Sequence, residues 1–166
     1  MKRLAMAFSG PSNSGKTTLI TQVAKYFMEQ NYKVCIIKHD PKDKASFDIA
    51  KKDSFKFFQS GADVMVLSPT RTTLFTHSPS TLDEAISKLG DFDFLFIEGL
   101  KTLDMPRISV FCKEVDESYF AYSKAIASYE KIENENLTWL YLDDLESICD
   151  FILKNSKKYR GKICKN

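Results

Sequence analysis

Residues 10–17 read Gly-Pro-Ser-Asn-Ser-Gly-Lys-Thr, preceded by the apolar run Leu-Ala-Met-Ala-Phe at 4–8. No other segment restricts the fold so tightly. The pattern G-x-x-x-x-G-K-[ST] between a buried strand and a helix is a phosphate-binding loop. Gly10 and Gly15 let the backbone turn tightly and approach phosphates with no Cβ in the way. Successive N–H groups then point inward as an anion nest, with the positive end of the following helix behind them. Lys16 supplies an ammonium for the β- and γ-phosphates, and the Thr17 hydroxyl suits Mg²⁺, a hard ion that takes oxygen ligands. The expected nucleotide contacts are Gly10, Asn13, Ser14, Gly15, Lys16, Thr17 and Thr18.

Beyond the loop, Leu19, Ile20, Val23, Ala24, Phe27 and Met28 form one apolar stripe of a helix over 16–29, with Asn31 as its stop. Residues 34–37, Val-Cys-Ile-Ile, make a second buried strand, which completes a βαβ unit with parallel strands. A polar, unpatterned loop is expected over 39–52. Asp53 or Ser54 then caps a short helix that stops at Gly61. Residues 64–67 and 72–76 predict a hairpin joined around Pro69, Thr70 and Arg71. A helix capped by Ser80 or Thr81 runs to Gly90. Strands follow at 94–97, 108–111, 125–127 and 138–142, then a helix over about 143–153. The alternation predicts an α/β fold of the P-loop NTPase type: a mainly parallel sheet, helices on both faces, and a β-hairpin extension at about 64–76. One nucleotide-binding domain is expected over 1–155, with a basic, solvated tail at 156–166.

The totals exclude more than they propose. The chain has 166 residues, 43% hydrophobic and 28% charged, enough for one full core. A net charge of +2 argues against nucleic acid as a partner, and no apolar run approaches the roughly 20 residues that span a bilayer. Cys35, Cys112, Cys149 and Cys164 lack metal-ligand spacing. Cys35 and Cys112 fall in expected strands and Cys149 on an apolar helix face, which predicts inert thiols in a reducing, cytoplasmic compartment.

Phosphoryl chemistry also needs an acidic group at the end of a second core strand. Residues 94–99, Phe-Leu-Phe-Ile-Glu-Gly, place Glu98 there, to hold a Mg²⁺-bound water or to orient the attacking one. Asp93 precedes the strand and belongs to the opposite edge. His39 and Asp40 follow the second strand, where ligands of parallel sheets bind. Asp40 has two readings, an assistant to Mg²⁺ or substrate and a loop-capping carboxylate. Lys101 likewise either reaches a phosphate or is solvated.

Taken together, the motifs at 10–18, Lys38-His39-Asp40, Lys52-Asp53-Ser54, Gly61-Ala62 and Phe96-Ile-Glu-Gly-Leu-Lys101 resemble the molybdopterin-guanine dinucleotide biosynthesis protein B (MobB) family over roughly the first 130 residues. The resemblance implies binding of GTP with Mg²⁺, weak GTPase activity, and a homodimer built on the hairpin. It also implies a partner nucleotidyltransferase of the MobA type, which joins GMP to molybdopterin, and molybdopterin as a further ligand. Carried over by position, Lys16, Glu98 and Asp40 serve catalysis. Thr17, Asp40, Asp48 and Glu98 serve the metal, and Ala127 and Ser128 lie beside the guanine. The chain departs from the pattern in carrying Pro41-Lys-Asp-Lys-Ala in place of a His-richer loop. Lys51 stands in place of a Gly, and Tyr129-Glu130 where an Asp often follows. No Asn-Lys-x-Asp guanine box occurs. A small-molecule kinase using ATP is the competing reading, weakened because Arg occurs only at 3, 71, 107 and 160, with no cluster for a lid. A nucleotide-sensing module without required turnover is the third.

Overall fold

The computed structural model describes residues 2–45 and 52–161. Packing divides the chain into two compact units, one of 1–39 with 82–166 and one of 40–81.

In the first unit, β1 (Leu4–Ser9), β2 (Val34–Lys38), β5 (Phe94–Glu98), β6 (Arg107–Phe111), β7 (Ala125–Ser128) and β8 (Thr138–Tyr141) form a parallel sheet in the order β2-β5-β1-β6-β7-β8. The neighbouring strands β1 and β5 read as apolar runs up to their last residue because both faces are covered. Alternate residues divide between two cores. Met6, Phe8, Phe94, Phe96, Ile108 and Val110 pack with helices α1 (Lys16–Glu29) and α4 (Leu145–Asn155). Ala5, Ala7, Leu95 and Ile97 pack on the other face with Ile86 of α3 (Leu82–Lys88) and Phe92. Phe27 of α1 stacks on Phe94, with ring centroids 4.1 Å apart. Asn31 ends α1 with a positive φ of 64°, as its position predicts.

The start of the basic tail is paired rather than frayed, although its two lysines stay exposed. Lys157–Lys158 form β9, antiparallel to Leu4 and Ala5 of β1, and Tyr159 is buried against Phe92. The reason is a vacant edge: β6 pairs with β1 only from Ala7 onward, so the first half of β1 has N–H and C=O groups to fill. A 3-10 helix at Glu117–Tyr122, capped by the Asp116 carboxylate, was not signalled by periodicity.

In the second unit, α2 (Asp53–Gln59) accompanies the hairpin of β3 (Val64–Ser68) and β4 (Arg71–Phe75). The N-cap of α2 is Lys52, without a side-chain bond, so neither Asp53 nor Ser54 caps it. Asp53 instead stands in the first turn, where a carboxylate complements the helix dipole. The hairpin turn is shorter than expected, Pro69-Thr70 alone, because Arg71 already pairs with Ser68. Phe58 stacks on the His77 ring at 3.9 Å and meets Phe75 at 6.0 Å. Met65, Leu67, Leu74 and Phe57 remain exposed, Leu67 at 75%. No helix among the described residues is long and apolar enough to cross a membrane.

Candidate functional site

The loop after β1 wraps onto the start of α1. Gly10 (φ +139°), Asn13 (φ +59°) and Gly15 (φ +89°) all adopt positive φ, which turns the loop within a few residues. Cys112, one residue beyond β6, ties the loop down: its N–H donates to the Ser14 carbonyl at 3.1 Å and its thiol to the Asn13 carbonyl at 3.4 Å. Cys112 is therefore neither within a strand nor remote from the site, and it is only partly buried. The residues Asn13–Thr18 and Cys112 line a pocket of about 350 Å³. The first four N–H groups of a helix have no acceptor within it, so the N-terminus of α1 offers donors to this pocket. Lys16 folds back, its ammonium donating to the Pro11 carbonyl and, at 3.3 Å, to Ser14 Oγ. Burial pulls the Lys16 pKa below the ordinary lysine value, Glu98 opposes that, and Lys38 adds to it.

Glu98 ends β5 in register with Phe8 and Lys38, beside the root of the loop. Its carbonyl accepts from His39 N–H at 3.0 Å, and Gly99 N–H donates to the Phe8 carbonyl at 2.9 Å. A side chain at Gly99 would meet His39 Cβ at 3.1 Å, at a φ of +95°. Asp93, at the other end of β5, accepts from the backbone of Lys2 and Lys33. Lys101 is not simply solvated: its ammonium lies 4.0 Å from the Tyr119 ring centroid and donates to Ser118 Oγ at 3.2 Å.

Asp40 belongs to the second unit, where its carboxylate accepts from the N–H groups of Lys42, Lys44 and Ala45 at 3.3, 2.6 and 2.6 Å. Asp48 lies outside the described residues. Ala127 and Ser128 are buried at the carboxyl end of β7. The Ser128 hydroxyl donates to the Glu130 carbonyl at 2.7 Å and accepts from the Trp139 indole at 3.1 Å. Among the described residues no group of three or more His, Cys, Asp and Glu is arranged to hold a metal ion, so a cation here would draw its ligands largely from phosphates and water. A second pocket, of about 740 Å³, lies within the second unit and is lined partly by Phe55, Phe58, Phe75 and His77.

Two supports of the site had no sequence signal. Arg107 is fully buried, and its guanidinium donates to the carbonyls of Gly99, Leu100 and Leu103 at 3.0, 2.8 and 3.2 Å, bracing the segment after Glu98. Ser9, just before Gly10, begins a hydroxyl chain through Ser109 (2.7 Å) to Ser123 (2.6 Å) and on to the Tyr119 carbonyl (2.8 Å).

A glycine-rich loop between β1 and α1, with an acidic residue at the end of the adjacent parallel strand, defines an α/β fold of the P-loop NTPase class. The comparisons narrow this further. The family model for molybdopterin guanine dinucleotide synthesis protein B (MobB) matches residues 5–129, and the chain belongs to that family. The molybdopterin-guanine dinucleotide biosynthesis adapter protein of Escherichia coli K12 is 25% identical over 167 residues, 94% of this chain and 95% of that one. A Methanocaldococcus jannaschii relative is 35% identical over 115 residues, which are 66% of this chain but only 47% of that longer protein. Among solved structures, a molybdopterin-guanine biosynthesis protein B is 29% identical with a TM-score of 0.74, covering 91% of this chain and 97% of its own. Bacillus subtilis MobB superposes with a TM-score of 0.76 at 24% identity, covering 94% and 99%.

Proposed function

We propose that this chain is an adapter of molybdopterin guanine dinucleotide biosynthesis that binds GTP with Mg²⁺ at residues 10–18. The adapter role is that of the relatives it matches over nearly their whole length. The observation that carries the nucleotide reading is the loop itself, with Lys16 close enough to Glu98 for the carboxylate to shift its pKa. Gly10, Asn13, Ser14, Gly15, Lys16, Thr17 and Thr18 hold the phosphates. Thr17 and Glu98 are the oxygen donors that would hold Mg²⁺, which would supply positive charge to neutralise the phosphates. Asp40 and Asp48 are further candidates for the metal, and Ala127 and Ser128 for the walls around the base. Turnover is slow, because the four arginines form no cluster in the sequence and the Arg107 guanidinium is already held by three carbonyls. The chain thus works mainly by presenting GTP to a partner nucleotidyltransferase, as a cytoplasmic homodimer joined through its hairpin.

Equilibrium binding of labelled GTP, competed by ATP and GDP with and without Mg²⁺, tests this reading. Selective, Mg²⁺-dependent GTP binding that is lost in Lys16→Ala is the expected result. Preference for ATP would favour a small-molecule kinase, and affinity retained in Lys16→Ala would remove the phosphate site from residues 10–18.

A further inference from the structure

The loop and Glu98 account for the phosphates, but nothing among them distinguishes one base from another. Lys16 and Glu98 set the γ-phosphate end on the β5 side of the loop. The nucleoside therefore trails the opposite way, across the carboxyl ends of β6, β7 and β8. Phe111, Ser128 and Tyr141 are in register at those ends. Cys112 and Tyr129 are the first residues beyond β6 and β7. Adjacent strands lie about 4.8 Å apart, so Tyr129 emerges one strand away from the cysteine that touches the phosphate loop.

Three side chains at this edge are unusual. Tyr129 and Tyr141 are 49% and 42% exposed, with rings 6.0 Å apart and inclined at 73°. Trp139 backs Tyr141 at 6.1 Å, and its indole N–H is held by Ser128. The Tyr129 hydroxyl donates to Asp143 Oδ1 at 3.4 Å. Asp144, the neighbouring carboxylate, is occupied in capping α4 through Ser147. Asp143, by contrast, accepts from the exposed Tyr129 at the edge where ligands of parallel sheets bind. The phenol of Tyr129 is raised above its ordinary value, by Asp143 first and with Cys112 among the lesser causes, so the three groups share one electrostatic neighbourhood.

We propose that Tyr129, Tyr141 and Asp143 form the purine subsite, and that the Asp143 carboxylate selects guanine. The assignment rests on the GTP reading above. An ionised carboxylate only accepts hydrogen bonds. Guanine presents two adjacent donors on its pairing edge, N1–H and the exocyclic N2 amine. Adenine presents one donor beside the acceptor N1, which a carboxylate repels. Tyr129 and Tyr141 supply the apolar faces for the base, a contact that tolerates any purine, so discrimination falls to Asp143. The Ser128 hydroxyl, already donating and accepting within the fold, takes no part.

The test uses the full chain with GTP, ATP and xanthosine triphosphate, whose base carries a carbonyl where guanine has its amine. Asp143→Asn exchanges an acceptor for a donor at an exposed position and leaves the fold intact. GTP affinity is expected to fall about tenfold or more and xanthosine triphosphate affinity to rise by a similar factor, as for one bidentate base contact. Tyr129→Ala is expected to weaken both nucleotides alike, by about tenfold, through lost stacking. Unchanged GTP and xanthosine triphosphate affinities in Asp143→Asn overturn the subsite. If GTP binding is still abolished by Lys16→Ala, only the subsite fails. A wild-type chain that binds no GTP, or a Lys16→Ala variant that still does, defeats the phosphate reading together with it.

Discussion

Gly10 admits no side chain: an added Cβ would stand 2.5 Å from the Val110 carbonyl oxygen and 2.7 Å from Ser14 Oγ, at a φ of +139°. Backbone cannot yield as a flexible side chain can, so Gly10→Ala should displace the loop while the core holds. GTP affinity is expected to fall about tenfold or more, ~1.4 kcal/mol or above, read by titration calorimetry. Arg107 acts on the other side of the site. Removing its guanidinium strands three inward-facing carbonyls of the segment after Glu98, and Arg107→Ala is expected to destabilise the fold by about 3–5 kcal/mol in urea denaturation. A loss below about 1 kcal/mol would show that water replaces the guanidinium without penalty. Gly10 and Lys16 were legible because one short motif encodes their chemistry. Arg107 was not, since its role depends on carbonyls brought to it by a turn at residues 99–103.

Among the elements, β1 and β5 could be read from the sequence because burial on both faces keeps each run apolar up to its last residue, whereas β6 carries Arg107 and Ser109 within it. The hairpin was legible for a different reason, two β-prone segments around a Pro-containing turn. Its exposed Met65, Leu67 and Leu74 make it the element most in need of a cover. If it joins two copies of the chain, Leu67→Asp should weaken the dimer about tenfold or more, since burying a carboxylate in an apolar contact is unfavourable. Sedimentation over micromolar concentrations reads this; a wild-type chain already monomeric there would refute the hairpin dimer. By contrast β9 has two residues, both lysine, and no pattern could announce it. It exists because β1 extends past the start of β6.

For the molecule as a whole, acid should be the destabilising direction. Asp93, Asp116 and Asp144 accept hydrogen bonds at the ends of elements, and their pKa values are lowered chiefly by Lys33 N–H, by Ser118 and by Ser147 N–H respectively. A carboxylate with a folded pKa below its unfolded value, ~3.9, stabilises fully above that value and loses its contribution as pH falls through the folded one. Thermal midpoints are thus expected to decline below about pH 4, and less steeply once all three are changed to Asn. Identical slopes in the two proteins would assign the acid response to other carboxylates. Cys149 contributes nothing to such titrations near neutrality, because burial pushes its thiol up to about 12.

Local sequence settled whatever depends on neighbours in the chain: the phosphate loop, the helix behind it, the apolar strands, and the place of Glu98 at a strand end. Hydrogen-bond geometry and periodicity act over a few residues, so each of these is written in a short window. Tertiary structure decided what distant segments do to one another. It set Cys112 against Asn13, Arg107 beneath residues 99–103, and Lys157–Lys158 on the vacant edge of β1. It also brought Tyr129 to Asp143 at the ends of the adjacent strands β7 and β8. Such pairings join residues from 4 to 154 positions apart, and they form only once the sheet order is fixed.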